Sequence, residues 1–79
     1  MTGIPENADE KLQALIRRIR TDAGVTQAEL ASRLGVPQSV VSKFESGERR
    51  LDVLELRQVC RALSLSLTEF IRRLEKDIP

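Results

Sequence analysis

The sequence contains no histidine, tryptophan or tyrosine, one cysteine and two phenylalanines. Each shortage removes a class of function. Without imidazole there is no histidine acid–base catalysis and no Ser–His or Cys–His pair. Cys60 is the single thiol, so four N/S ligands cannot be assembled around a structural zinc ion. No metal site and no cofactor are expected. Cys60 also lacks an intrachain disulfide partner, which points to a reducing, cytoplasmic setting. Long apolar runs are missing too. A membrane span needs about 18 or more apolar residues in a row, and none occurs. The opening MTGIPENADEKL is acidic and has no apolar stretch, so it does not read as a signal peptide. With 79 residues, 1–79 reads as one small domain whose stability is modest.

What is present is charge, unevenly placed. The net charge is only +1. Residues 1–16 set Lys11 against Glu6, Asp9 and Glu10. Residues 17–50 carry Arg17, Arg18, Arg20, Arg33, Lys43, Arg49 and Arg50 against Asp22, Glu29, Glu45 and Glu48. Residues 51–79 balance. A basic middle points weakly to a polyanionic partner, and the near-neutral total counts against it.

Period-2 strand patterns are absent and helical spacing runs throughout. Leu12, Leu15, Ile16 and Ile19 predict a first helix over roughly 7–23, with Asn7 as N-cap and Gly24 as its left-handed stop. Thr26 starts a short second helix as a Thr-x-x-Glu capping box with Glu29. Leu30, Ala31 and Leu34 line its inner face, and Gly35 ends it. Pro37 opens a third helix that runs to about Ser46 and is capped by Gly47. Its inner pair is Val41 and Phe44. Asp52 caps a fourth helix with Glu55 three residues on. Val53, Leu56, Val59, Cys60 and Leu63 form its core stripe. Ser66 or Leu67 starts a fifth helix carrying Leu67, Phe70, Ile71 and Leu74. The expected fold is all-α, five short helices, with helices 4 and 5 at about 52–75.

Residues 26–47 are the informative stretch. Two short helices meet at Gly35 with almost no connector, which is helix-turn-helix spacing. The second helix of such a pair fits a DNA major groove while the first crosses the backbone. Gln38 can pair with an adenine edge, and Ser39 can contact a base or a phosphate. Val40, read as outward-facing, can touch a thymine methyl. Ser42 and Lys43 lie one turn further on. Thr26, Gln27 and the free N–H groups beside them suit a phosphate. Arg49 and Arg50, just past the third helix, suit another.

These residues resemble the lambda-repressor-like helix-turn-helix domain, the Cro/C1 or XRE family. TQAELASRLG, PQSVVSKFESGERR and RALSLSLTEF carry the likeness over about residues 10–74. The resemblance implies a five-helix fold and a cytoplasmic transcription regulator, commonly a homodimer on two-fold double-stranded DNA. It implies that Gln27 touches a phosphate and buttresses Gln38. It implies that Gln38, Ser39, Ser42 and Lys43 face the bases. It also pairs Arg20 with Glu45. This chain departs from the family pattern in two ways. Ser64 stands where the family often has glycine. The larger regulatory domain that often accompanies the motif is absent from these 79 residues, so no small-molecule effector is expected.

Helix-turn-helix units also serve as plain packing elements, and Lys43, Arg49 and Arg50 also read as a solvated charge run. Arg17 and Arg18 read as solvated helix-face charges. Leu51, Leu54, Ile71, Leu74 and Ile78 fall outside the core stripe, and so many apolar side chains on a small domain point to a dimer surface on helices 4 and 5. The alternative reading is a protein-interaction module of the same fold, such as an antitoxin, working through those helices. An enzyme is a remote third. The carboxylates Glu29, Glu45, Glu48 and Glu55 all have capping, pairing or surface explanations, and no insertion is long enough to form a pocket.

Overall fold

The chain winds through five helices in the order α1 (Ala8–Asp22), α2 (Gln27–Leu34), α3 (Gln38–Ser46), α4 (Val53–Ala62) and α5 (Leu67–Asp77). This is a computed structural model that describes residues 8–78. Among the described residues there is no strand, and no helix is long and apolar enough to cross a membrane.

Local chemistry sets the boundaries. The expected cap Asn7 lies outside the described residues. Thr26 holds an extended conformation, and its hydroxyl accepts from the Glu29 amide. The reciprocal half of that predicted box is not among the hydrogen bonds found. Asp52 and Glu55 do form the full box: Asp52 Oδ1 accepts from the Glu55 amide, and Glu55 Oε1 accepts from the Asp52 amide. Ser66 accepts from the Glu69 amide and starts α5. Pro37 sits one place earlier than expected. It is the N-cap of α3 and offers no side-chain bond.

The turn between α2 and α3 depends on Gly35, whose φ is 69°. Its amide donates to the Ser32 carbonyl, and the Val36 amide donates to the Ala31 carbonyl. These bonds satisfy the end of α2 while the chain reverses. Ser64 takes the matching left-handed place after α4, with φ 60°. It is the non-glycine residue with positive φ among the described residues.

One apolar core results. Leu15, Ile16 and Ile19 of α1 meet Leu30 and Ala31 of α2, Val41 and Phe44 of α3, Leu56, Val59 and Cys60 of α4, and Phe70 of α5. Helix α2 packs against both α3 and α4. Two expectations need correction. Val53, on the predicted core stripe, is 61% exposed. It occupies the first helical position of α4, where the turn overhangs the edge of the core. Val40 was expected to stand clear on the outer face. It is half-buried and packs against the core; Val36 and Leu51 line the same groove.

Candidate nucleic-acid interface

The outer face of α3 presents Gln38, Ser39, Ser42 and Lys43, all exposed. None of the four side chains donates to or accepts from a protein group among the hydrogen bonds found, so their polar atoms are open to a ligand. Lys43 has no ion-pair partner among the described residues. The strip is polar, cationic at one point and about one and a half turns long. Val40 sits at its edge with less reach than expected.

A buried polar cluster fixes this strip. Glu45, on the flank of α3 two turns beyond Gln38, is 2% exposed, and Arg20 of α1 is 8% exposed. The guanidinium grips the carboxylate with two bonds: Arg20 Nε donates to Glu45 Oε2 at 2.6 Å, and Nη2 donates to Oε1 at 2.9 Å. Its third nitrogen, Nη1, donates to the Val25 carbonyl at 2.9 Å. Gln27 Nε2 donates to Glu45 Oε1 at 3.1 Å. Arg17 Nη2 donates to the Glu45 carbonyl at 3.1 Å. Buried charges are tolerated only when paired and bonded this fully. The side chains of α1 and α2 thereby fix the roll of α3 about its axis.

Two contacts add to the sequence reading here. The Gln27 amide donates to Glu45. Arg17 is exposed, as a solvated charge would be, and also donates to the carbonyl near the end of α3. Sequence spacing gave no signal for either contact, because each joins residues 18 or more positions apart.

The cations that follow α3 are not free. Arg49 Nη2 pairs with Glu55 Oε2, and its buried Nη1 has no hydrogen-bond partner. Arg50 pairs with Asp9. The Arg50–Asp9 pair is largely exposed, at 73% and 55%. Such a pair contributes about 0–1 kcal/mol, so a phosphate can replace Asp9 at little cost. The Arg49–Glu55 pair is tied to the α4 capping box. Its hydrogen bond to Arg49, with that to the Asp52 backbone, holds the Glu55 carboxyl below its ordinary value. At the start of α2, Thr26 is exposed and Gln27 half-buried. The Thr26 hydroxyl is already engaged by Glu29.

The surface of α4 and α5 is apolar in part. Leu54 is 69% exposed and Ile71 39%. Leu51 and Leu74, expected to share that surface, are half-buried against the core. Val53 joins the exposed set in their place.

A short-turned helix pair, a polar outer strip on its second helix and a buried Arg–Glu clasp behind it define a helix-turn-helix domain. The helix-turn-helix family model matches residues 16–70, and the chain belongs to that family, as a Cro/C1-type (XRE) DNA-binding transcriptional regulator. An uncharacterized HTH-type transcriptional regulator of Methanothermobacter thermautotrophicus is 33% identical over 84% of this chain and 96% of its own. Antitoxin HipB of Escherichia coli K12 is 29% identical over 73% of this chain and 66% of its own. Among solved structures, an XRE-family like protein from Pseudomonas syringae is 45% identical, with a TM-score of 0.76 over 89% of each chain. The wild-type restriction-modification controller protein C.Esp1396I is 26% identical, with a TM-score of 0.83 over 92% of this chain and 95% of its own.

Proposed function

We propose that this single domain, residues 1–79, is a sequence-specific double-stranded DNA-binding repressor that works in the cytoplasm as a two-fold dimer. Helix α3 enters the major groove, which is wide enough for one helix. Gln38, Ser39, Ser42 and Lys43 read base edges, with Val40 against a thymine methyl where its half-buried position allows. Thr26, Gln27 and the first amides of α2 hold one phosphate. Arg50 exchanges Asp9 for another, with Arg49 beside it. The observation that carries this reading is the open polar strip of α3 backed by a buried clasp. A surface helix with no reading task has no need of a desolvated charge pair to set its roll. Repression follows from occupancy of an operator and needs no chemistry, cofactor or effector.

The exposed apolar side chains supply the dimer. Leu54 and Ile71, with the half-buried Leu51 and Leu74, form the contact between two copies. The two α3 helices then stand about 34 Å apart, facing half-sites about one turn apart.

In vitro selection from a random duplex library at near-physiological salt tests the reading. Enrichment of a two-fold site with half-sites about 10 bp apart is expected. Gln38→Ala relaxes preference at one base pair of each half-site, at about 1–3 kcal/mol. Sedimentation shows a dimer that Leu54→Glu converts to a monomer. A library that yields no enriched site overturns the proposal.

A second reading has its own support. The likeness to an antitoxin and the apolar α4–α5 surface fit a regulator that also engages a partner protein. Failure of selection alongside capture of a protein through Leu54 and Ile71 favours it.

A further inference from the structure

Three arginines gather on a face that does not include the α3 strip. Arg33 lies in the last turn of α2, while Arg57 and Arg61 lie one turn apart on α4, and all three are exposed. They line two adjoining shallow concavities that share Arg61. Arg33, Gln58 and Arg61 border one. Arg57, Arg61, Ser66 and Thr68 border the other. No carboxylate lines either concavity.

Other arginines of this chain have found acids: Arg49, Arg50, Arg72 and Arg73 are all paired. Among the described residues Arg33, Arg57 and Arg61 have no such partner, nor do Arg17 and Arg18 of α1, which line neither concavity. Arg33 donates Nη1 to the Ala62 carbonyl at 2.8 Å, which places a cation at the negative end of α4. That explains Arg33. It leaves Arg57 and Arg61 without a structural task. The start of α5, whose Ser66 and Thr68 line the second concavity, adds the positive end of a helix to the same surface.

We propose that this α2–α4–α5 face docks an acidic segment of a partner protein, with carboxylates one helical turn apart. Arg57 and Arg61 are separated by about 6 Å along the axis of α4. Carboxylates at positions i and i+4 of an acidic helix have the same spacing, and each guanidinium can grip one of them with two bonds. Neither concavity is lined by Gln38, Ser39, Ser42 or Lys43, so the arginine face is separate from the α3 strip. Arg57 and Arg61 share their stripe of α4 with Leu54, so a partner held there competes with the dimer contact and not with α3. The inference does not rest on α3 reading DNA. Duplex phosphates share the anionic chemistry, and the test separates them.

The probe is a synthetic helical peptide bearing glutamate at i, i+4 spacing, titrated into the full 15N-labelled chain, with a glutamine version as control. Saturable amide shifts confined to Arg33 and Arg57–Thr68 are expected. Arg57→Glu with Arg61→Glu weakens peptide binding at least about tenfold and leaves affinity for duplex DNA within about twofold. Arg57→Gln with Arg61→Gln stands in where the charge reversal disturbs folding, judged by circular dichroism. Shifts centred on Gln38–Lys43, or no saturable binding, overturn the proposal. So does a parallel loss of duplex affinity with a shallower salt slope, which assigns the face to phosphates instead.

Discussion

Arg20 and Glu45 show how much one residue pair can fix. Removing either leaves the other charged in a dry place, which costs about 3–5 kcal/mol. For a domain of this size that is a large share of the total stability. Urea unfolding of Arg20→Ala, Glu45→Ala and the double variant is expected to show strong coupling, with the double variant well short of the sum. Two single variants near wild-type stability would remove the clasp from the account. Cys60 makes a second prediction at this scale. Burial pushes its thiol from 9.0 up to about 11. The folded state therefore keeps the proton where the unfolded chain has begun to lose it. The stability contributed by the neutral thiol is complete below about pH 9 and is lost as pH rises towards 11. Without tyrosine in the chain, this alkaline slope is legible in urea midpoints. Cys60→Ala, less stable overall, is expected to lack it.

At the scale of the helix, the end of α4 carries a cost the other ends avoid. Gly24, Gly35 and Gly47 take the left-handed turns after the first three helices, whereas Ser64 takes the turn after α4. A left-handed residue with a Cβ costs roughly 1–2 kcal/mol, part of which glycine gives back through its freer unfolded chain. Ser64→Gly is thus expected to stabilise the fold by about 0.5–1 kcal/mol and raise Tm by about 3–6 °C. An unchanged or lower Tm in calorimetry counts against this. Helix boundaries were the most legible part of the sequence, because caps and stops are local. Asp52 with Glu55, Thr26, Ser66, Gly35 and Gly47 all act where their side chains or missing side chains say they should. What the sequence hid is set across helices. Periodicity places Val53 on the same stripe as Leu56, yet only the packed structure shows that α4 begins beyond the core. Spacing likewise cannot tell that Arg50 meets Asp9, 41 residues away. The open strip of α3 was readable from its residue types; the pairing of Arg49 and Arg50 was not.

Over the whole molecule, two faces carry different chemistry on a small frame. One bears polar side chains on α3. The other bears Arg57 and Arg61 on the same stripe of α4 as Leu54, with Ile71 of α5 on the stripe of Thr68. They are joined by a scaffold in which Glu45 accepts from Arg17 and Arg20 of α1 and from Gln27 at the head of α2. That sharing bears on how the protein breathes. If α2 swings out, Glu45 loses the Gln27 donor and α2 leaves the core it shares with α1 and α3; if α1 lifts, the carboxylate is stranded in an apolar place. No one of the three helices can therefore leave without disturbing the others. Hydrogen exchange is expected to report this directly. The amides of Ile16, Leu30 and Val41 are expected to share one opening free energy and to fall together in low urea, as a single cooperative unit. Exchange at Leu30 that runs ahead by more than about 1 kcal/mol would show α2 opening alone. The polar strip of α3, built on such a unit, is either wholly present or wholly lost, with no loosened form in between.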